Sequence, residues 1–105
     1  MKVEIDKRVV GFLKKLKEKD SVKAFSYIEL FETYGFSLGS RYLKKVGGPI
    51  WELRPGKIRL YLFIKAKNQI VVYAIIKKSQ KIKAKDLKII EARIKEYSWK
   101  NTPKL

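Results

Sequence analysis

The chain has 105 residues, 46% of them hydrophobic, which is enough for one compact core and too few for two ordinary domains. Lys and Arg number 26 against 10 acidic residues, and the formal net charge of +16 favours a polyanionic partner such as nucleic acid, an anionic membrane surface or an acidic protein. Because the sequence contains neither Cys nor His, disulfides, thiol nucleophiles and Cys-based zinc sites are excluded, and any metal site would need carboxylates alone.

The N-terminal third predicts a strand followed by two helices. Residues 1–5 alternate between apolar and charged side chains, which indicates a short strand. Asp6 is placed to cap a first helix, and Asp20 or Ser21 to cap a second, which Gly35 ends. Each helix has an apolar stripe at helical spacing, formed in the first by Val9, Val10, Leu13 and Leu16, and in the second by Ala24, Tyr27, Ile28, Phe31 and Tyr34.

The middle of the chain predicts a loop and then three consecutive strands. Residues 36–49 contain three glycines and predict a loop with one turn around residues 41–45. Segments 51–54 and 57–65 are rich in aromatic and branched residues, and the Pro55-Gly56 pair between them suits positions two and three of a type II turn. A third strand over residues 70–77 extends this hairpin into an antiparallel meander. Periodic apolar residues predict a last helix over 84–97.

The element order β-α-α-β-β-β-α predicts an α+β fold, in which two helices pack on one face of an antiparallel sheet and a C-terminal helix follows. We expect a single domain over residues 1–97 and a basic C-terminal tail over 98–105. The longest apolar run, residues 70–76, is far shorter than the ~20 residues that span a bilayer, and the N-terminus lacks a signal-peptide core. A soluble, cytoplasmic protein is therefore expected.

Positive charge is concentrated in the middle of the chain. Between Thr33 and Lys85, thirteen Lys or Arg residues accompany one acid, Glu52. A two-residue turn at Pro55-Gly56 would pair Arg54 with Lys57 and Glu52 with Arg59, which places all four on one face of the hairpin. Like charges directly opposite one another destabilise a hairpin, so this arrangement slightly favours a functional role. The alternative is that these are ordinary solvated charges at a turn.

A lysine-rich segment follows the last predicted strand, with five lysines in residues 77–85. A solubilising loop is the usual reading of such a run. Whether Lys77 faces Arg59 depends on the connection between the last two strands, because a two- or four-residue loop would place it on the opposite face. A three-residue loop over 66–68, with a bulge, would pair Arg59 with Ile75 and Lys57 with Lys77. We predict this second register.

Three motifs together resemble a known family. Gly-Gly-Pro-Ile-Trp-Glu-Leu-Arg (47–54), Lys-Ile-Arg-Leu-Tyr-Leu-Phe (57–63) and Lys-Lys-Ser-Gln-Lys (77–81), followed by a final helix, resemble the phage-derived branch of the RelE/HigB toxins over about residues 40–97. Each motif alone is weak, and their order and spacing make the likeness fairly specific. The resemblance implies a RelE-like fold and a ribosome-dependent, metal-independent messenger RNA endonuclease that needs no cofactor. It also implies inhibition by a cognate antitoxin, expected to carry a helix-turn-helix domain.

The resemblance also implies which residues form the site. Arg54 and Arg59 match the family's basic residues on the concave sheet, while Lys77, Lys78, Gln80 and Lys81 match the basic segment beside the cleft. In two respects the chain departs from the family pattern: Lys83 replaces the usual Pro, and no His or obvious Tyr stands where some members have a general acid.

The predicted catalytic residues are two arginines and two lysines. Arg54 and Arg59 are expected to hold the phosphate, since guanidinium donates two hydrogen bonds to phosphate oxygens. Lys77 or Lys81 is expected to take part in proton transfer, because neighbouring positive charges lower the pKa of a lysine amine toward neutrality. Eight further residues are predicted to bind RNA: Arg41, Lys44, Lys45, Lys57, Tyr61, Lys78, Gln80 and Lys83.

Two other functions remain open at this point. A non-catalytic nucleic-acid-binding module would use the same basic face only to grip phosphates, and its affinity would fall steeply with salt. A membrane-surface protein would use the basic helix of residues 7–19, although an ordinary amphipathic core helix explains that segment better, since its apolar residues are needed to cover a small sheet.

Overall fold

The structure, a computed structural model, describes residues 2–79 and 81–100. In this part of the chain, helices and strands are largely segregated along the sequence as in an α+β fold, which confirms the predicted fold class. The elements are β1 (Glu4–Ile5), α1 (Lys7–Lys14), α2 (Glu18–Tyr34), a 3-10 turn (Gly35–Ser37), β2 (Leu43–Gly47), β3 (Ile50–Leu53), β4 (Ile58–Lys65), β5 (Asn68–Ile76) and α3 (Ala84–Lys100).

The five strands form one mixed sheet in the order β1-β5-β4-β3-β2. Strand β1 runs parallel to β5, with Glu4 opposite Ile70, and the other neighbouring pairs are antiparallel. The prediction of a purely antiparallel sheet is therefore wrong at β1. Alternation in so short a strand is the same for either direction, and direction is set by the long crossover through both helices, which the local sequence does not encode.

Strand β2 lies where the sequence predicted a loop over residues 36–49, and this prediction is wrong. Its adjacent lysines, Lys44 and Lys45, interrupt the apolar alternation by which strands are recognised. The strand forms an edge of the sheet, where lysines are common because they discourage pairing with another chain. A register shift between Lys45 and Gly47 marks an irregularity in its pairing with β3.

The β3–β4 hairpin differs from the predicted pairing by two residues. Glu52 lies opposite Tyr61 rather than Arg59, and Leu53 lies opposite Leu60. The turn is closed by the N–H of Ile58, which donates to the carbonyl of Pro55 at 3.0 Å, so Pro55 opens the turn instead of occupying its second position. Because the shift is an even number of residues, every side chain keeps its predicted face.

The two N-terminal helices differ in how they begin, because α1 has a side-chain cap and α2 has none. The Asp6 carboxylate accepts from the N–H of Arg8 at 2.8 Å, which confirms the predicted N-cap of α1. Helix α2 begins at Glu18, so the prediction that Asp20 or Ser21 caps it is wrong. Gly35, with φ of 57°, ends α2 as predicted.

Two apolar clusters cover the two faces of the sheet. The first lies under α1 and α2 and is formed by residues such as Val9, Leu13, Ala24, Ile28, Phe31, Leu53, Ile58, Leu60 and Leu62. The second lies under α3 and includes Ile50, Tyr61, Phe63, Ile70, Val72 and Ile90. Strand β4 contributes to both clusters, because its side chains alternate between the two faces of the sheet. Helix α3 leaves one end of its face of the sheet uncovered, and this end is available for polar residues.

Helix α3 extends to Lys100, three residues beyond the predicted end, so residues 98–100 of the predicted tail are helical. The rest of that tail, residues 101–105, lies outside the described residues. The domain boundary at Tyr97 stays a prediction. Among the described residues, no helix has both the length and the apolar character required to cross a membrane.

Candidate functional site

A cleft of about 760 Å³ opens beside β5. Its walls come from α1, from β2 to β5, from the segment that follows β5 and from α3. Residues from almost every part of the described chain therefore border one space, although they are far apart in the sequence.

The walls of this cleft are strongly cationic. Only two carboxylates, Glu52 and Asp86, line it among the described residues. The Lys and Arg side chains that line it number eleven: Arg8, Lys44, Lys45, Arg54, Arg59, Lys77, Lys78, Lys81, Lys83, Lys85 and Arg93. So many like charges around one concave surface focus the field and attract anions.

The structure brings nine of the twelve predicted site residues to this cleft: Arg54, Arg59, Lys77, Lys81, Lys44, Lys45, Tyr61, Lys78 and Lys83. Two others lie elsewhere. Arg41 is exposed outside the cleft walls, and Lys57 extends toward α2, where its Nζ lies 3.5 Å from Oδ2 of Asp20. The twelfth, Gln80, lies outside the described residues.

A bulge in β5 positions Lys77 at the cleft. The connection between β4 and β5 has two residues, Ala66 and Lys67, and such a loop alone would direct Lys77 to the opposite face. A register shift after Tyr61 adds one residue to β5, so Arg59 pairs with Ile75. The N–H of Lys77 then donates to the carbonyl of Lys57 at 2.6 Å. The predicted pairing is confirmed, but the predicted three-residue loop is wrong, because the bulge lies inside the strand.

Arg59 forms part of the floor of the cleft. Its Nη1 donates to the backbone carbonyls of Gly56 and Ile58, both at 2.8 Å, and the residue is only 7% exposed. The guanidinium therefore fixes the β3–β4 turn while its positive charge remains beneath the cleft. Glu52 is the nearest counter-ion, with Oε1 at 3.9 Å from Nε of Arg59.

Arg54 lies nearer the opening. Its side chain is 32% exposed, and Nη1 donates to the carbonyl of Ser40 at 3.4 Å. Its Nε is 3.4 Å from Oε1 of Glu52 and, among the described residues, has no hydrogen-bond partner although it is buried. Glu52 thus lies between the two arginines and is within ion-pair distance of both.

Two tyrosines form the wall below α3. Tyr61 and Tyr73 are stacked, with ring centroids 6.4 Å apart. Burial raises the pKa of Tyr61 well above its usual value, and the charge and hydrogen bonding of Glu52 raise it further. Since Tyr61 is only 1% exposed, its ring supports the wall rather than offering a free face to a base.

The Tyr73 hydroxyl donates to Oδ1 of Asp86 at 2.8 Å, and burial together with this bond raises the pKa of Tyr73 to about 12. The guanidinium of Arg93 lies 5.1 Å from the Tyr73 ring centroid and donates to the carbonyl of Val72. Sequence reasoning missed Asp86 and Arg93. The acidic residue in the first turn of the last predicted helix was the available signal for Asp86.

A second group missed by sequence reasoning joins α1 to α3. Asp6 is buried and accepts from Arg8 through both carboxylate oxygens and from the Tyr97 hydroxyl at 2.6 Å. Arg8 also contacts Oε2 of Glu96 at 2.8 Å. The hydrogen bond with Arg8 holds the pKa of Asp6 well below its usual range. Arg8 is thereby fixed at the cleft wall.

The fold and the site together define a class: small, basic α+β proteins with one cationic cleft beside a mixed sheet. Within that class the chain belongs to the family of phage-derived Gp49-like proteins (DUF891), whose model matches residues 11–95. This is a RelE/toxin-like family. All three motif segments quoted above lie inside the matched range. Among curated proteins, none matches the chain.

Proposed function

We propose that this protein is the toxin of a type II toxin-antitoxin pair, a ribosome-dependent endoribonuclease that cuts messenger RNA and thereby inhibits translation. One observation carries the proposal: Arg54, Arg59 and the lysines of residues 77–83 come from separate parts of the chain and line one cleft. Membership of a RelE/toxin-like family supports the same activity.

The chemistry proposed for the cleft uses the RNA as its own nucleophile. The 2′-oxygen forms a bond to phosphorus while the bond from phosphorus to the 5′-oxygen breaks, which leaves a 2′,3′-cyclic phosphate and a 5′-hydroxyl. One proton leaves the 2′-oxygen and one reaches the 5′-oxygen. The protein therefore has to align the backbone, stabilise the charge on the phosphorane and move protons, and the reaction requires no metal ion or other cofactor.

The two arginines have different roles in this proposal. Arg54 is partly exposed at the cleft, so its guanidinium donates to the non-bridging phosphate oxygens. Arg59 is bound to the turn carbonyls and acts through its charge from beneath the phosphate. In a site partly shielded from water, that charge has a larger effect than at an exposed surface.

The lysines of the segment after β5 complete the proton balance. Lys77 and Lys81 both line the cleft, on the side opposite β2. In this proposal one of the two side chains donates a proton to the departing 5′-oxygen, and the other accepts the proton of the 2′-hydroxyl. The RNA-binding lysines Lys44, Lys45, Lys78 and Lys83 hold the phosphates on either side.

The protein has two proposed partners, a translated messenger RNA on the ribosome and a cognate antitoxin encoded by a neighbouring gene. Because the first partner is a translating ribosome, the proposed site of action is the cytoplasm. The antitoxin is expected to carry a helix-turn-helix domain, as the family resemblance implies. An acidic antitoxin surface would neutralise or cover the cleft, because the eleven cations there would otherwise repel any basic partner.

The test is induction of the protein in a bacterial host, with growth and primer extension on a translated message as readouts. Wild type should stop growth and produce discrete cuts that disappear when the message is not translated. Arg54→Ala should remove both effects, since losing one such donor costs about a hundredfold in rate. Arg41→Ala is the matched control, because Arg41 lies outside the cleft, and it should cut like wild type.

Circular dichroism and thermal unfolding of purified Arg54→Ala would show that loss of cutting is not loss of folding. If the folded Arg54→Ala protein cuts messages as wild type does, the proposed site is wrong.

The second candidate function is the non-catalytic nucleic-acid-binding module, which the same cationic cleft favours. Salt-sensitive RNA binding by wild type without growth arrest or cuts would establish that function instead.

A further inference from the structure

Phe36 is a large aromatic side chain that remains half-exposed, at 49%, although apolar neighbours surround it on two sides. Its ring packs edge-on against Phe31, with centroids 5.7 Å apart, and lies 4.8 Å from the ring of Trp51 at a tilt of 58°. The outer face of Phe36 is therefore held in a fixed orientation toward solvent, and it is this face that needs an explanation.

The local backbone fixes the ring. Gly35 ends α2 and leads directly into the 3-10 turn that contains Phe36. Within that turn the Ser37 hydroxyl donates to the carbonyl of Tyr34 at 2.6 Å, and the N–H of Leu38 donates to the carbonyl of Gly35. A ring that is already ordered loses little conformational entropy when a ligand packs against it.

The rings of Phe36 and Trp51 are separated from the cleft by one edge strand, β2. On β2, Lys44 pairs with Glu52 on the cleft face, and the next residue, Lys45, pairs with Trp51 on the opposite face. Because β2 is the edge strand, both lysines still border the cleft. The Nζ of Lys45 lies 5.8 Å from the Trp51 ring centroid. A chain leaving the cleft over β2 thus meets two ammonium groups and then the Phe36 ring.

This order of groups fits single-stranded RNA. Phosphates require cations at intervals, and unpaired bases stack on aromatic faces with little regard to sequence. A basic strand edge followed by an exposed ring supplies both contacts, and the charges at this edge are complementary to a polyanion. A protein partner is the alternative occupant, because exposed aromatic rings also anchor protein interfaces, and binding of the antitoxin by Phe36→Ala distinguishes the two.

We propose that Phe36, supported by Trp51 and flanked by Lys45, is a base-stacking subsite for single-stranded RNA that leaves the cleft across β2. This inference rests on the proposed function, because it extends the path of the same RNA. It predicts that oligonucleotides long enough to cross β2 and leave the cleft contact Phe36, whereas those that fill only the cleft do not.

The test measures binding of fluorescent RNA oligonucleotides of about four and about sixteen nucleotides, which span the range of single-strand site sizes. Their 2′-oxygens carry methyl groups, so that they cannot be cut. Phe36→Ala should weaken binding of the long RNA about tenfold and leave the short RNA unchanged. Phe36→Trp should retain the affinity for the long RNA, and Phe36→Leu should weaken it, because Leu keeps the apolar bulk but offers no ring for stacking. Val22→Ala is the control, since Val22 is another exposed apolar residue, on α2, at 57%.

A second readout follows the ring itself. In a Trp99→Phe background Trp51 is the one tryptophan of the sequence, and its emission should be quenched by the long RNA and not by the short one. Thermal unfolding of each variant checks the fold, and Phe36→Leu keeps the test valid if Phe36→Ala unfolds, because Leu retains apolar contact with Phe31 and Trp51.

The possible outcomes separate this inference from the proposed function. If short RNA fails to bind, or binds Arg54→Ala as well as wild type, the cleft is not an RNA site and the proposed function fails. If short RNA binds through Arg54 but Phe36→Ala binds long RNA as wild type does, only the stacking subsite is refuted. Loss of binding to the antitoxin by Phe36→Ala, with long RNA unaffected, would show that the surface contacts protein and would likewise refute the subsite.

Discussion

Oε1 of Glu52 lies 3.4 Å from Nε of Arg54, so a carboxylate stands on the floor of a cleft that otherwise collects positive charge. The same oxygen is 3.9 Å from Nε of Arg59. A carboxylate in this position reduces the attraction for an anionic ligand, and it lies within 4 Å of two guanidinium groups at once. In the proposed nuclease, this pairing would favour orientation of the arginines over affinity for RNA.

Glu52→Gln should therefore separate binding from cleavage. Removing the negative charge should tighten RNA binding, while the looser arginines should lower the cleavage rate about tenfold or more. Fluorescence anisotropy with uncleavable RNA and single-turnover cleavage on translating ribosomes would measure the two effects. Weaker binding together with unchanged cleavage would show that Glu52 does not orient the arginines.

Asp6 should make stability depend on pH in acid. Its pKa is lowered chiefly by the hydrogen bond with Arg8, so its stabilising effect is complete above the ordinary Asp pKa of about 3.9 and is lost as pH falls below that value. Asp6→Asn keeps a side-chain oxygen that can cap α1 but loses the charge paired with Arg8, and it should cost about 1 to 3 kcal/mol near neutral pH.

Thermal unfolding at several pH values would check this prediction. The difference in unfolding temperature between wild type and Asp6→Asn should be constant at neutral pH and should shrink in acid. Glu4→Gln is the control, because Glu4 is an exposed carboxylate at the same end of the chain. A difference that persists unchanged below pH about 3 would contradict the assigned ion pair.

The bond between Tyr73 and Asp86 should contribute to stability. Because Asp86 is only 7% exposed, Tyr73→Phe leaves a largely buried carboxylate without this donor, at a cost of about 1 to 3 kcal/mol. Tyr34→Phe removes a hydroxyl from a residue that is 56% exposed and should cost almost nothing. Urea unfolding of the two variants measures both values, and equal stabilities would count against a structural role for the pair.

The features that the sequence predicted are local ones. The cap at Asp6, the end of α2 at Gly35 and the alternation along β4 depend on neighbouring residues, and the structure has all three. Strand β2 was missed because Lys44 and Lys45 interrupt its apolar alternation, although it pairs with the neighbouring β3. The direction of β1 was missed because it depends on pairing with β5, which lies far away in the chain. Local pattern does not encode such pairing.

The candidate site shows the same division. Arg59 and Lys77 were predicted to lie at one end of the sheet, since alternation and a single register choice were enough to place them. The role of Asp86 was not predictable, because its partner Tyr73 lies on another element and is reached only after α3 packs on the sheet. Lys57 was expected near Arg59, and its extension toward Asp20 depends on the position of α2.

If the cleft lysines contact RNA, RNA binding by cleft variants should depend less on salt than RNA binding by wild type. For single strands, the slope of log association constant against log salt is about −0.7 per phosphate contact. Lys44→Ala, Lys77→Ala and Lys81→Ala should each reduce the magnitude of that slope by about 0.7, and Lys88→Ala, exposed on α3 and outside the cleft, should leave it unchanged. Equal slopes for all four variants and wild type would show that the cleft lysines do not contact RNA, and would contradict the account.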